Sequence, residues 1–164
     1  MRSKAAIGDH PIHPALVPIP IGAFFLALVG DVMHAVVPAD PFWYDLAFVC
    51  VGIGLIAAVV AAVAGAIDYL GVTMSQKAYR LATLHAILNV SALILYAVTF
   101  LMRRNRSAET GPRWPVAMAL EIVAFLVLGT SGWIGGKLAF EHRVGVVEEP
   151  RETSERSRPA SARG

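Results

Sequence analysis

The chain has 164 residues, of which 56% are apolar and only 16% charged, and its formal net charge at neutral pH is +2. Soluble domains carry about a quarter charged residues, so this composition excludes an ordinary soluble globular fold. The basic residues stand in loops and at the ends of apolar blocks, which leaves nucleic-acid binding without support. The mean hydropathy of +0.60 indicates a protein whose main solvent is lipid.

Four apolar blocks follow one another along the chain, and each is at least 20 residues long. A helix of about 20 residues is about 30 Å long, the thickness of the hydrocarbon layer, so each block predicts one transmembrane helix. The predicted spans are residues 15–37, 42–70, 79–102 and 114–140. Because short connections force neighbouring helices to run antiparallel, the predicted fold is all-α, an integral membrane four-helix bundle with up-down-up-down topology.

The two ends of the chain differ from the apolar blocks. Residues 1–14 are rich in His and Pro and are predicted to form an extended N-terminal segment. Residues 143–164 offer almost no apolar side chain to bury and are predicted to form a disordered polar tail. Small residues at four-residue spacing predict close helix contacts in the second and fourth spans. In the second span they are Gly54, Ala58, Ala62 and Ala66, and in the fourth they are Gly132 and Gly136.

The distribution of Lys and Arg predicts the orientation in the membrane, because an excess of these residues marks the cytoplasmic side. If the N-terminus is cytoplasmic, that side carries Arg2, Lys4, Lys77, Arg80, Arg143 and the tail arginines. The opposite side then carries Arg103, Arg104, Arg106 and Arg113. The count favours both termini in the cytoplasm, although the basic third connection argues against it.

The polar residues in and beside the blocks sort onto two faces of the membrane. In an up-down bundle, the start of the first helix, the end of the second, the start of the third and the end of the fourth lie at one face. Those places carry His10, His13, Asp68, His85, Asn89, Glu141 and His142. The opposite face receives Asp31, His34 and Glu121, for which we expect an interhelical hydrogen-bonded group. Both sets are candidates for function, because ionisable residues are costly inside a membrane.

Four histidines on one face indicate a haem or metal site, because imidazole ligates haem iron, zinc and copper and facing helices can each supply an axial ligand. The candidate cofactor ligands are His10, His13, His85 and His142, with Asp68 and Asn89 as supporting polar residues. Haem b is the leading candidate, and its propionates can meet the basic residues Lys77, Arg80, Lys137 and Arg143. In the alternative reading, the histidines are structural and bond backbone carbonyls that prolines and helix ends leave free.

Five short motifs resemble an uncharacterised bacterial membrane family, domain of unknown function 2231. They are HPIHP at 10–14, PIPIG at 18–22, GAID at 65–68, HAILN at 85–89 and GWIGGKLAFEHRVGV at 132–146. The resemblance implies a four-span protein of the bacterial inner (cell) membrane, with relatives that are joined to iron–sulfur domains. It also implies a shared set of polar residues, His10, His13, Asp68, His85, Asn89 and His142. Asp9 and Arg143 depart from the family pattern, which has glycine at both positions.

Two functions therefore remain open on the sequence. One is a membrane electron-transfer component that uses the histidine cluster and exchanges electrons with redox partner proteins. The other is a non-catalytic membrane anchor or assembly module with structural histidines. A small transporter has weaker support, because we see neither discontinuous helices nor an inverted repeat. The sequence favours a protein that is not an enzyme, since it has no nucleophile beside a base, no phosphate-binding glycine loop and no zinc-protease spacing.

Overall fold

The computed structural model describes residues 3–104 and 113–146, which form a small antiparallel sheet and five helices. In chain order the elements are β1 (Ala6–Ile7), β2 (His10–Pro11), α1 (Ile12–Leu16), α2 (Pro18–Val36), α3 (Phe42–Gly71), α4 (Gln76–Arg103) and α5 (Arg113–Phe140).

Four helical segments are long and apolar enough to cross a membrane, and α1 together with α2 forms the first of them. The predicted all-α bundle of four helices is therefore confirmed. Large apolar side chains remain on its outside, for example Ile56, Leu126 and Leu70. An apolar outer surface of this extent is what contact with lipid requires.

The helices pack closely as two antiparallel hairpins, α2 with α3 and α4 with α5, and the two hairpins then face each other. The helix bounds differ from the predicted spans by a few residues. The largest difference outside the N-terminal segment is at α4, which begins at Gln76 rather than at residue 79. Ser75 explains the earlier start, because its hydroxyl accepts a hydrogen bond from the Ala78 N–H at 3.3 Å and so caps the helix.

The N-terminal segment is more structured than the predicted extended chain. Strands β1 and β2 form a tight hairpin around Gly8, whose φ of 61° lies in the left-handed region that glycine favours. The chain becomes helical at Ile12, whose N–H donates to the Ala5 carbonyl at 2.8 Å. Pro14 lies in the first turn, where a missing N–H removes no helical hydrogen bond. The prediction of extended backbone up to Pro14 is therefore wrong from Ile12 onward.

The predicted polar tail also begins with ordered residues. Arg143 adopts a φ of 50° and turns the chain back, which gives a physical reason for a glycine at this position in the family pattern. The Val144 N–H donates to the Leu138 carbonyl at 3.0 Å, and the Val144 side chain packs with Ala78 and Ala82. Residues 143–146 thus belong to the fold. The prediction of disorder for 147–164 lies outside the described residues.

Close contact within the first hairpin depends on Gly30. A Cβ atom at Gly30 would lie 2.9 Å from the Trp43 carbonyl oxygen and 3.2 Å from the Ala47 Cβ. Helices α2 and α3 can therefore approach this closely only because position 30 has no side chain.

Substituting Gly30 by alanine is expected to destabilise the bundle by about 1–3 kcal/mol, because a backbone carbonyl cannot rotate away from the new methyl group. Gly22 on the same helix is the matched control, since no atom lies within 4 Å of its Cβ position. Unfolding of both variants in detergent by heat or denaturant measures the difference. Equal stability of Gly30→Ala and Gly22→Ala would contradict this account of the contact.

The predicted small-residue stripe on α3 is wrong in its second half, where Ala62 and Ala66 are exposed and Ala61 and Ala64 are buried instead. Each step of four residues overshoots a full helical turn by about 40°, so a strict four-residue series drifts off the contact face. A helix contact is also predicted on α5 at Gly132 and Gly136. No atom of another described element lies within 4 Å of the Cβ position of either glycine.

Large rings fill the space between the two hairpins. Phe24 of α2 stacks on Tyr96 of α4 with ring centroids 3.6 Å apart, and Phe48 of α3 stacks on Phe100 of α4 at 4.8 Å. The Phe24 ring also lies against Gly54, where an added Cβ would clash with it. This aromatic layer forms the middle of the core and separates polar groups near the two ends of the bundle.

Candidate functional site

His13 lies in α1, and its ring faces α3. The Nδ1 atom is 2.8 Å from the Ala61 carbonyl oxygen, and the ring lies so close to Gly65 that a Cβ there would be 3.0 Å from Nδ1. A carbonyl oxygen can only accept a hydrogen bond, so the ring hydrogen is on Nδ1. The Nε2 atom of the neutral ring then carries the free lone pair.

His85 lies in α4 and makes the equivalent contact to α5. Its Nδ1 atom is 2.8 Å from the Ser131 carbonyl oxygen and 2.9 Å from the Ser131 hydroxyl. Gly135 makes room for the ring, because a Cβ there would lie 3.0 Å from the His85 Cε1. The Asn89 amide donates to the His85 carbonyl at 2.9 Å and lies 3.1 Å from Nε2. Asn89 thus acts as a neighbour of the imidazole, as its spacing predicted.

The two imidazoles meet between the hairpins. Their ring centroids are 6.2 Å apart and their planes are nearly perpendicular, at 86°. A ring centroid lies about 3.2 Å from a metal bound to its Nε2, given a metal–nitrogen bond of about 2.0–2.1 Å, so two rings that shared one metal from opposite sides would lie about 6.4 Å apart. A histidine that binds a metal through one nitrogen usually donates its other N–H to a carbonyl or carboxylate. The centroid distance of the pair is close to this value, and the Nδ1 of each ring lies 2.8 Å from a backbone carbonyl oxygen.

Asp68 serves the N-terminal segment instead of the histidine pair. Its carboxylate accepts hydrogen bonds from the Ser3 hydroxyl at 2.8 Å, the Lys4 N–H at 2.7 Å and the Ala5 N–H at 2.9 Å. Ser3 and Ala5 are buried as a result. Because residues 3–5 lead into the β1–β2 hairpin, Asp68 ties that hairpin to the end of α3, near the start of α1.

The other two predicted ligands have separate surroundings. His10 is exposed in β2, where its residue pairs with Ile7. His142 follows α5, and its Nε2 is buried with no hydrogen-bond partner among the described residues. Within 3–104 and 113–146, no group of three or more His, Cys, Asp or Glu side chains could hold a metal ion. Of the six predicted site residues, only His13, His85 and Asn89 are brought together by contacts at one place.

Charged residues meet near the opposite end of the bundle. The Arg103 guanidinium donates through Nη1 to Asp31 Oδ1 at 2.7 Å and through Nη2 to Asp31 Oδ2, while Glu121 Oε1 lies 3.0 Å from Nη2. All three side chains are at most 2% exposed. The Trp114 indole N–H also reaches Asp31 Oδ1, at 3.3 Å. We call Asp31, Arg103 and Glu121 the charged triad.

Sequence reasoning found both carboxylates of the triad but missed its cation. Arg103 is followed closely by Arg104 and Arg106, and this basic run indicates the connection after the third span. One sequence signal indicates the burial of Arg103. In the predicted bundle, Asp31 and Glu121 lie at the same depth as Arg103, and no other Lys or Arg is predicted inside the bundle beside them. His34, also predicted here, is buried with its ring 5.0 Å from Trp114.

The fold and these contacts define a four-span helical membrane protein with a histidine pair near one end and a charged triad near the other. Its sequence matches the profile of a family described as "Predicted membrane protein (DUF2231)" over residues 9–148. The chain belongs to this family, which confirms the resemblance seen in its motifs. Searches of curated proteins and of solved structures found no significant match.

Proposed function

We propose that this protein is a membrane electron-transfer component that binds haem b between His13 and His85. The observation that carries the proposal is the adjacent imidazole pair, with ring centroids 6.2 Å apart and each Nδ1 at 2.8 Å from a backbone carbonyl of a neighbouring helix. Those hydrogen bonds fix the orientation and tautomer of both rings and leave the Nε2 lone pair of His13 for a ligand. The Nε2 of His85 lies 3.1 Å from the Asn89 amide, so iron bound there would replace that hydrogen bond. Haem b bound there would supply one-electron exchange inside the membrane.

The number of donors favours haem over a metal ion alone. Structural and catalytic zinc sites use three or four protein ligands, and the described residues offer no such group. Haem iron already has its porphyrin nitrogens and needs only two axial ligands, one from each side. His13 and His85 belong to different hairpins, which is how helical bundles hold haem. His10 and His142 are therefore left out of the proposed ligand pair.

Two further features support haem at this position. Gly65 and Gly135 stand against the two imidazoles, so each ring can sit deep in its own hairpin. Four basic residues toward this end of the helices can form ion pairs with the propionate groups of haem b. These residues are Lys77, Arg80, Lys137 and Arg143. Lys137 is half-buried and the other three are exposed. Redox partner proteins would then approach this face.

The proposal is tested by haem analysis of the full-length protein, purified in detergent from cells supplied with a haem precursor. We expect about one haem b per chain by the pyridine haemochromogen assay, and a reduced-minus-oxidised spectrum typical of b-type haem. Purified apoprotein should take up haemin to the same ratio. A folded protein that is colourless after purification and does not take up haemin would contradict the proposal.

A non-catalytic anchor or assembly module is the second candidate, and one observation favours it. Asn89 Nδ2 lies 3.1 Å from His85 Nε2, so every nitrogen of His85 has a polar neighbour without any cofactor. On that reading the imidazoles are structural links between helices. The haem analysis separates the two candidates, because a structural histidine gives no haem spectrum.

We also propose that both termini face the cytoplasm of a bacterial cell, which puts the histidine pair nearer the cytoplasmic side. Arg103 supports this orientation, because its charge is neutralised inside the bundle and no longer counts toward the loop after α4. Arg2, Arg106 and the tail arginines lie outside the described residues.

Reporter fusions after Arg106 and after Gly164 are expected to give opposite sides of the membrane, with the C-terminal reporter inside. An external C-terminal reporter would reverse the proposed orientation and leave the fold unchanged.

A further inference from the structure

The charged triad contains two carboxyl groups and one guanidinium in a buried position. Asp31 is 0% exposed, Glu121 1% and Arg103 2%. If both carboxyl groups were ionised, the group would carry a net charge of −1 inside the membrane-spanning region. An unbalanced buried charge is strongly unfavourable, and such sites usually become neutral by binding a proton.

The hydrogen bonds of the triad show which of the two carboxyl groups has no cation to balance its charge. Asp31 receives both terminal nitrogens of Arg103 and, at 3.3 Å, the Trp114 indole. Glu121 Oε1 lies 3.0 Å from Arg103 Nη2, and the side chain also interacts with Asp31 and Thr99. Within the described residues neither of its oxygens has a hydrogen bond of acceptable geometry. Arg103 therefore balances Asp31, and Glu121 is the carboxyl group that lacks a counter-charge.

The polar groups in and around the charged triad come from the three spans other than α5, which carries Glu121 itself. From α2 they are Asp31 and His34, from α3 Tyr44, and from α4 Tyr96, Thr99 and Arg103. The Tyr96 hydroxyl is buried and has no hydrogen-bond partner among the described residues. His34 packs against Trp114 and Tyr44. Arg103 is the one permanent cation of this set, and its charge is already matched by Asp31.

We propose that Glu121 is a proton-binding site inside the membrane, and that it holds an exchangeable proton at neutral pH. The ligand is a proton because a neutral carboxyl group both removes the excess charge and gains an O–H that can bond the adjacent Asp31 carboxylate. Arg103 follows His85 by eighteen positions on α4, about 27 Å of helix, so this site is independent of the proposed haem site.

A groove beside the triad offers a route for exchange. It has a volume of about 350 Å³ and is lined by Tyr44, Asp45, Phe48, Val49, Arg103 and Arg104. Tyr44 and Arg103 border both the groove and the triad, and the Tyr44 hydroxyl donates to the Arg103 carbonyl at 3.2 Å. The groove thus ends beside Tyr44 and Arg103, and the side chains of Arg103 and Asp31 lie fully buried behind it.

Infrared spectroscopy of the full-length protein in lipid nanodiscs tests the proposal. At neutral pH we expect the carbonyl band of an un-ionised carboxyl group, and a shift of this band in D2O because the proton exchanges. Labelling with ¹³C-glutamate should move the band, whereas ¹³C-aspartate should leave it in place. Glu121→Gln should abolish it, and Glu141→Gln, which changes an exposed glutamate just after α5, should retain it.

The infrared spectra of the wild-type protein, with and without ¹³C labels, test the proposal even if Glu121→Gln does not fold. Absence of any un-ionised carboxyl band at neutral pH would overturn the proposal. A band that moves only with ¹³C-aspartate would assign the proton to an aspartate and overturn it equally. Loss of the band in Glu141→Gln would exclude Glu121 as its source.

Discussion

Replacement of His85 by alanine is expected to give a folded protein that no longer retains haem b. On the proposed function, His85 supplies one of the two axial ligands, and its ring is the one that α5 holds through Ser131. Loss of an axial ligand weakens haem binding far more than it weakens the fold, because the remaining helix contacts persist. We expect the b-type spectrum to disappear or to change to that of five-coordinate iron, with the same result for His13→Ala.

His10 provides the matched control for both variants, since it is exposed in β2. The His10→Ala protein should keep wild-type haem content and spectrum. Added imidazole should restore the spectrum of His85→Ala, because it can occupy the space of the deleted ring. A structural histidine would instead cost about 1–2 kcal/mol of stability with no effect on haem. Unchanged haem content in both His13→Ala and His85→Ala would contradict the assignment.

Replacement of Arg103 by alanine is expected to have the largest effect on stability, a loss of about 3–5 kcal/mol. Removing one partner of a buried ion pair leaves the other without compensation, and here Asp31 would lose the cation that balances its charge inside the membrane. Thermal unfolding in detergent, followed by circular dichroism, measures the loss.

Arg104 is the matched control, because it is the next residue and is exposed. Arg104→Ala should unfold at the wild-type temperature. A combined variant with Arg103→Met, Asp31→Asn and Glu121→Gln should recover part of the stability, since no ionised group is then buried. If Arg103→Ala and Arg104→Ala were equally stable, the triad would not contribute to the fold.

The spans were predictable because hydropathy alone decides them. A block of twenty or more apolar residues has no alternative to a membrane-spanning helix, so composition fixed the number and order of the helices. The N-terminal hairpin was not predictable in this way. Its two-residue strands are stabilised by the long-range contact of Asp68 with residues 3–5, and no local pattern contains that information.

The polar sites were predictable only in part. Alternating helix directions bring His13 and His85 to the same end of the bundle, but the rotation of each helix decides which histidines meet. That rotation follows from close contacts such as Gly30 on Ala47, which the sequence does not reveal. Arg103 was missed for a related reason. Its burial depends on two carboxyl groups on other helices, whereas its neighbours in sequence indicated a loop.

Iron coordination in the oxidised, purified protein shows whether His13 and His85 together bind haem b. Electron paramagnetic resonance measures it without any substitution. If both histidines bind the iron, we expect a low-spin, six-coordinate haem with two nitrogen axial ligands. A high-spin signal from five-coordinate iron, or a haem signal that persists unchanged when both histidines are replaced, would contradict it.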